Sequence, residues 1–236
     1  MNSNYNDIID IILTLIEDDD IKNNIAVSGS IVPYIIIEKE SLEYHTDFYI
    51  LVKDKKINFV RKKIKNLSTE YEFDITSDSK KYSKEDYGFK IKYESTVVGF
   101  FPYSLINNDL TIKTYAMSKD KTKIKLKKKI IPSVSKSSII RLVNFGKNKL
   151  RIMSPEFILA DKETREQTVG NPTDETMTLL DEITDKDVLR LLRRSIADTK
   201  VNIITKETND NNLILIVILG ALIMLLLIIT YICFKK

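Results

Sequence analysis

Apolar residues at the start of the chain recur at helical spacing and predict an amphipathic helix. Its apolar face consists of Ile8, Ile11, Ile12, Leu15 and Ile16, and the acidic run at 18–20 marks its end. The same spacing predicts later helices, marked by Ile57, Val60, Ile64 and Leu67, by Met177, Leu179, Leu180 and Ile183, and by Val188, Leu191, Leu192 and Ile196. Ser154 and Pro155 match the cap and first position of a further helix. Each apolar face requires a core that covers it.

Between these helices the pattern changes to short, β-rich runs. A strand is predicted at 25–27, followed by a tight turn at 28–30, a helix over 31–37 and a strand that Asp47 opens. Further strands are predicted at 71–75, 88–93, 96–101, 110–115 and 122–126, with a hairpin turn at Glu94-Ser95 and breaks at Pro102 and Asn107-Asn108. This order predicts an α+β fold whose sheet has an antiparallel extension.

The last apolar run differs from the other predicted elements because it has no polar face. Leu213 to Phe234 contains 22 residues and no charge. As a helix it would extend ~33 Å, which is enough to cross a bilayer core. We predict a single transmembrane helix over 213–234 in contact with the lipid bilayer. The N-terminal sequence lacks the basic segment and cleavage site of a secretory signal, so the N-terminal domain is expected on the cytoplasmic side of the cell membrane.

These boundaries predict four regions. An α/β domain occupies 1–153, a helical subdomain 154–198, a polar tether 199–212 and the transmembrane helix 213–234. The tether is rich in Asn, Thr and Lys, a composition that buries little apolar surface.

The distribution of charge, the single histidine and the single cysteine exclude several kinds of functional site. The net charge is +4, but seven lysines lie between Lys119 and Lys129. They suit either an anionic ligand or the solvated face of an exposed strand. No aromatic residues are interleaved with them, so nucleic acid is not favoured as a partner. The single histidine, His45, excludes a His-based zinc site, and the single cysteine, Cys233, excludes an intramolecular disulfide. Cys233 lies in the last apolar run, which we predict to be in the membrane, so a cysteine protease is excluded as well.

The turn and the residue that opens the next strand match the requirements of metal-dependent nucleotidyl transfer. Gly29 and Ser30 can hold phosphate through backbone N–H groups and a hydroxyl, and Asp47 can hold Mg²⁺. In folds that carry out this chemistry, the two carboxylates that share the metal ions lie two residues apart on one strand, so that both point to one face. The second position is Tyr49, whose neutral phenol is a poor Mg²⁺ ligand. A third carboxylate remains open among Asp74, Asp78 and Glu94.

Several motifs occur in an order that resembles bacterial nucleotidyltransferase-like proteins, similar to the nucleotidyltransferase toxins of abortive-infection systems. They are Ser28-Gly29-Ser30-Ile31-Val32-Pro33-Tyr34, His45-Thr46-Asp47, Arg61 with Lys65, Asp78-Ser79, Asp86-Tyr87-Gly88-Phe89, Val98-Gly99-Phe100-Phe101-Pro102-Tyr103, Ser154-Pro155-Glu156 and Asp161-Lys162. The resemblance covers roughly residues 24 to 185 and rests on order and spacing.

This resemblance implies a mixed sheet flanked by helices, a nucleoside triphosphate as ligand and Mg²⁺ as the cofactor of an active member. It further implies that Ser28, Gly29 and Ser30 hold the nucleotide's phosphates. Lys162 would also contact the nucleotide, and Asp47 would be the catalytic metal ligand. Relatives carry an Asp-hydrophobic-Asp triplet where this chain has Asp47-Phe48-Tyr49.

We consider three functions, and the tyrosine at position 49, in place of the second aspartate of the triplet, favours the first of them. The preferred hypothesis is a tail-anchored, nucleotidyltransferase-like protein with impaired catalysis that binds a nucleotide or a protein partner. The alternatives are an active Mg²⁺-dependent transferase with rearranged metal ligands and a membrane-held interaction scaffold with no nucleotide site. His45 can face the same pocket or serve the structure of the loop before Asp47.

Overall fold

The computed structural model describes residues 3–71, 74–76, 87–118, 123–164 and 174–207. Its helices are α1 (Tyr5–Glu17), α2 (Asp19–Lys22), α3 (Val32–Ile37), α4 (Ile57–Tyr71), α5 (Lys136–Ile139), α6 (Pro155–Glu163), α7 (Asp174–Glu182) and α8 (Lys186–Ala197). Its strands are β1 (Ile25–Ser28), β2 (Tyr49–Lys53), β3 (Asp74–Ile75), β4 (Phe89–Tyr93), β5 (Thr96–Ile106), β6 (Asp109–Met117), β7 (Lys123–Ile131), β8 (Ile140–Phe145), β9 (Asn148–Met153) and β10 (Lys200–Glu207).

The strands form one mixed sheet in the order β10-β7-β6-β5-β2-β1-β9-β8, and β4 pairs with β5 and β3 beside this path. Strand β1 is antiparallel to β2 and parallel to β9, while β2 is parallel to β5. Helices flank the sheet, so the predicted α+β class with a mixed sheet is confirmed.

The core is built around the central strands and the first helix. All four residues of β1 are buried, as expected for a strand with neighbours on both sides and both faces covered. The predicted apolar face of α1 is buried as well, from Ile8 to Ile16. This burial holds the end of β1, and therefore the turn that follows it, in a fixed place.

Helix α6 is fixed at its beginning by buried polar groups. The hydroxyl of Ser154 accepts a hydrogen bond from the backbone N–H of Phe157 at 3.1 Å, which confirms the predicted cap. Glu156 is fully buried, and its carboxylate accepts hydrogen bonds from the Arg141 guanidinium and, at 2.8 Å, from the backbone N–H of Asp185. These contacts join α6 to β8 and to the start of α8, and so determine where the other end of α6 lies.

The strand pattern differs from the prediction at Pro102. We predicted a break there, but β5 continues to Ile106. Its antiparallel ladder with β4 runs as far as Phe100, and its ladder with β6 includes Tyr103. On this edge of β5, Pro102 lies between the two ladders, and on the other edge it is the register partner of Val52 in β2.

Several further boundaries differ from the sequence-based expectation. Strand β2 begins at Tyr49, so Asp47, which was predicted to open it, lies in the loop before it, and β7 extends beyond the predicted 122–126 to Ile131. The predicted strand at 71–75 is shortened to Asp74–Ile75, because α4 continues to Tyr71. The segment Ile140–Phe145 forms β8 and pairs with β9 in a hairpin, although no strand was predicted there. Its alternation is weak, since Leu142 is exposed and Arg141 and Asn144 interrupt the apolar positions.

The C-terminal region is described only in part. Residues Lys200–Glu207, at the start of the predicted tether, form β10, because Val201, Ile203, Ile204 and Thr205 are β-branched and favour a strand. The predicted transmembrane segment 213–234 lies outside the described residues. Among the residues that are described, no helix combines the length and apolar character needed to span a bilayer.

The chain divides into two units by its internal contacts. The first comprises the described parts of Met1–Tyr115 and Leu126–Ile203 and contains the core. The second comprises the described parts of Ala116–Lys125 and Ile204–Lys236. Within the second unit, the backbone N–H of Ser118 donates to the carbonyl oxygen of Lys123 at 2.8 Å.

Candidate functional site

The turn after β1 brings its backbone against the loop that carries Asp47. Gly29 has a φ of +104°, a conformation that residues with a Cβ rarely adopt. A Cβ at this position would lie 2.9 Å from the carbonyl carbon of Asp47 and 3.0 Å from the Cα of Phe48. Glycine therefore allows the turn to approach Asp47 closely.

The carboxylate of Asp47 is held by two partners. The backbone N–H of Ser30 donates to its Oδ1 at 3.0 Å. The ammonium of Lys162, from the C-terminal half of α6, donates to its Oδ2. The Lys162 side chain is 4% exposed and that of Asp47 is 13% exposed, so this is a buried ion pair.

The ion pair determines the charge state of Asp47. Burial alone would raise the pKa of this carboxyl group. The positive charge and hydrogen bond of Lys162, together with the hydrogen bonds from Ser30, outweigh burial and hold the pKa below its ordinary value of 3.8. Asp47 is therefore ionised at neutral pH, and Lys162 provides its counter-charge.

His45 lies behind the turn. Its Nδ1 is 2.7 Å from the hydroxyl oxygen of Ser30, and Asn4 hydrogen-bonds both its backbone N–H and its carbonyl oxygen. Its ring meets the Tyr34 ring edge-on at 5.4 Å between centroids. Its Nε2 has no hydrogen bond to the described residues. Because the side chain is almost fully buried, the geometry favours the structural interpretation of His45.

Burial also lowers the pKa of His45 below its ordinary value of 6.5, although the negative charges of Asp47 and Glu43 partly oppose this effect. At a pH above the pKa that His45 has in the unfolded protein, its ring is neutral in both the folded and the unfolded state. As the pH falls below that value, the unfolded state binds a proton that the folded state does not, and stability is lost until the pH passes the folded pKa. We expect the free energy of unfolding to fall as the pH is lowered from 7 through the ordinary histidine pKa of 6.5, by about 1.4 kcal/mol for each unit of pKa depression.

Urea denaturation across this pH range tests the expectation. The protein must lack a polyhistidine tag, so that His45 is the sole histidine. His45→Gln retains a polar group beside Ser30 and is expected to give a flatter pH profile. If the free energy of unfolding of this variant depends on pH as steeply as that of the wild-type protein, the pH dependence arises from another group.

The donor set does not fit a pair of magnesium ions. Tyr49 lies where the sequence analysis expected a second carboxylate, and its side chain lines the same small space as Asp47. Asp161 also borders this space, but its carboxylate pairs with the ammonium of Lys129. The described residues contain no group of three or more His, Cys, Asp or Glu side chains arranged to hold a metal ion. A buried ammonium beside the remaining carboxylate also disfavours a second cation there.

The third carboxylate left open by the sequence remains unassigned. Glu94 is exposed in the hairpin turn between β4 and β5. The side chain of Asp74 and all of Asp78 lie outside the described part of the structure.

The space between the turn and α6 is small. It measures about 10 Å³, which is close to the minimum for a single water molecule. The buried hydroxyl of Ser28 borders it and makes no hydrogen bond to a described residue. The turn is therefore filled by side chains of the protein itself.

A much larger cleft of about 770 Å³ opens on the other side of Tyr49. Residues of the sheet strands β2, β5, β6 and β7 and of the start of β10 border it, together with residues of α6 and α8. Residues that border it include Tyr49, Phe101, Lys127, Lys129, Asp161 and Ile196. Tyr49 and Asp161 border both spaces, so the cleft and the Asp47 turn adjoin.

Comparison with solved structures finds a protein of similar fold. The antibiotic-resistance factor ANT(2'')-Ia, an aminoglycoside nucleotidyltransferase, matches with a TM-score of 0.51 and 11% sequence identity. The match covers 82% of this chain and 92% of that chain. The fold is nucleotidyltransferase-like. Comparisons with protein-family models and with curated proteins find no match. A match at 11% sequence identity shows the nucleotidyltransferase-like fold and does not show the activity.

Within this nucleotidyltransferase-like fold, the predicted site residues lie together. Ser28, Gly29 and Ser30 form the turn, and Asp47 and Lys162 form the ion pair beside it. Sequence reasoning missed the cleft and the pairing of Asp161 with Lys129. The alternation of lysines along β7 was a signal for residues that border the cleft, but the same alternation is typical of a solvated strand face.

Proposed function

We propose that this chain is a nucleotidyltransferase-like binding protein in which metal-dependent transfer is impaired, similar to nucleotidyltransferase toxins of abortive-infection systems but altered at the metal site. The observation that carries the proposal is the Asp47–Lys162 ion pair, with Tyr49 where a second carboxylate would be needed. One carboxylate neutralised by a lysine is a poor ligand set for two divalent cations.

The turn supports the same proposal. The backbone N–H of Ser30, which could hold a phosphate oxygen, already donates to the carboxylate of Asp47. The carboxylate thus occupies the place of an anion at the turn. A triphosphate could reach Ser28, Gly29 and Ser30 only if the Asp47–Lys162 pair opened.

We further propose that residues 213–234 anchor the protein in the cell membrane as a single-pass helix, with the preceding domain in the cytoplasm. The apolar length of this segment supports the anchor. The lipid bilayer is then one partner, and a nucleotide or a protein is the other. Nucleic acid is not proposed, because the lysine-rich segment lacks interleaved aromatic residues.

The test uses the full-length protein. It is expected to require detergent for extraction from the membrane, and to transfer no label from nucleoside triphosphates labelled at the α-phosphate, with either Mg²⁺ or Mn²⁺. At least one nucleotide is expected to raise the melting temperature equally with Mg²⁺ and with EDTA. A ligand at 100 times its Kd adds about 2.7 kcal/mol to the free energy of unfolding, so the shift is readily measured.

Each alternative function predicts a different result. Metal-dependent transfer that disappears in Asp47→Asn would contradict impaired catalysis and support the active enzyme. If no nucleotide raised the melting temperature, nucleotide binding would be wrong and the interaction scaffold would be the better account.

A further inference from the structure

Basic residues are concentrated in one stretch of the chain. Residues 110–155 contain 13 lysines and arginines and a single acidic residue, Asp120, whereas the whole chain has 37 basic and 33 acidic residues. The rest of the chain is therefore net acidic. Such an asymmetry of charge is typical of proteins that contact an anionic surface, either a nucleic acid or a membrane.

Two lysines of this stretch lie at the start of β7. Lys123 and Lys125 are both exposed, and Ile124 between them is fully buried. Because side chains alternate along a strand, the two ammonium groups lie on the same side of β7. The start of β7 therefore presents a pair of cations to its surroundings.

The described part of the chain ends beside these lysines. Strand β7 is hydrogen-bonded to β10 in the sheet, and residues 123–125 belong to the same compact unit as residues 204–207. The start of β7 therefore lies beside the end of β10. Five residues, 208–212, separate the end of β10 from the predicted transmembrane segment. A fully extended chain of that length spans at most about 20 Å.

Distance and charge together favour a lipid surface as the partner. A helix inserted from Leu213 would hold the end of β10 within about 20 Å of the hydrocarbon core, and about 5 to 7 Å of this distance is the headgroup layer. Neighbouring strands are about 5 Å apart, so Lys123 and Lys125 can reach the headgroups when the domain lies against the membrane. Nucleic acid fits less well, since no aromatic residue is interleaved with the lysines.

We propose that the start of β7 is a docking surface for anionic lipid headgroups, which Lys123 and Lys125 contact. This contact orients the domain on the same membrane that the C-terminal segment enters. Each lysine close to an anionic bilayer strengthens such a contact about fivefold. This inference rests on the proposed function, because it requires the membrane anchor.

The test measures the acetylation rates of individual lysines by mass spectrometry. The full-length protein is inserted into nanodiscs of phosphatidylcholine, alone or with about one third phosphatidylglycerol, and treated with acetic anhydride. Acetylation requires the neutral amine, and an anionic surface at about −30 to −50 mV concentrates protons about three- to sevenfold. Lys123 and Lys125 are therefore expected to react about three- to sevenfold more slowly in the anionic nanodiscs. At about 1 M KCl, where the Debye length is about 3 Å, this protection is expected to disappear.

Lys62, an exposed lysine of α4, is the reference for both measurements. Its acetylation rate is expected to be the same in the two kinds of nanodisc. Lys123→Gln is expected to weaken docking about fivefold, and so to remove at least about half of the protection of Lys125. Lys62→Gln removes the same charge and is expected to leave that protection unchanged. Equal slowing of Lys62, Lys123 and Lys125 would overturn this inference.

The outcomes separate this inference from the proposed function. A protein that enters both kinds of nanodisc, but whose Lys123 and Lys125 react at equal rates in the two, would retain the anchor and overturn the docking surface. A protein that enters neither kind would contradict the anchor and this inference with it. If added RNA protected the two lysines and anionic lipid did not, the surface would bind nucleic acid and the inference would be wrong.

Discussion

Lys162→Met is expected to lower the free energy of unfolding by about 3 kcal/mol, because it leaves a buried carboxylate without its counter-charge. Methionine retains most of the length and volume of the lysine side chain, so the loss is mainly electrostatic. The pKa of Asp47 is held below 3.8 in the folded protein, so its stabilising effect is present above that pH and is lost as the pH falls through the folded pKa. Urea denaturation at pH 7 measures the difference.

The control for this variant is Lys186→Met. Lys186 pairs with Asp181, but both side chains are 61% exposed, and removing such a pair is expected to cost less than about 1 kcal/mol. Asp47→Asn combined with Lys162→Met should recover at least about half of the loss, since it removes both charges. A double variant no more stable than Lys162→Met alone would mean that the cost arises from packing.

Gly29→Ala is expected to cost about 4 kcal/mol or more, a size typical of severe backbone conflict. The added Cβ would overlap the backbone at Asp47 and Phe48, and alanine also resists a φ of +104°. Because α1 and β1 are packed in the core, the turn cannot move away without disturbing them. Thermal melting, or the yield of folded protein if the variant does not accumulate, measures the effect.

Gly146→Ala provides the comparison for the glycine variant. Gly146 also has a positive φ, +56°, but a Cβ there would meet nothing within 4 Å. Its substitution should cost only about 1 to 2 kcal/mol, the penalty for the left-handed conformation alone. Similar losses at the two glycines would show that close approach to Asp47 contributes little.

Local patterns predicted the elements that carry the turn. The helical spacing from Ile8 to Ile16, and the strand, turn and helix around Gly29, each depend on neighbours in sequence, so periodicity and turn chemistry were sufficient. The weakly alternating strand β8 was missed because its sequence lacks that regularity.

The chemistry of the site was less predictable, because its decisive contacts are distant in sequence. Asp47 and Lys162 are 115 residues apart. The resemblance placed both near a nucleotide, but spacing along the chain cannot show that they bond to each other. The same holds for Lys129 and Asp161, since only the folded sheet and α6 bring a strand lysine to a helix aspartate.

The tyrosine at position 49 affects how mutation could give this chain a second carboxylate beside Asp47. Every tyrosine codon becomes an aspartate codon by a single base substitution, so a second acid at position 49 is always one mutation away. With Lys162 present, that acid would join an existing ion pair and would not complete a cation site. Replacing Lys162 first would leave Asp47 buried and unpaired, an intermediate that selection for stability removes. Gain of a two-carboxylate site therefore depends on the order of two mutations, and this epistasis can preserve the present combination of Tyr49 and Lys162.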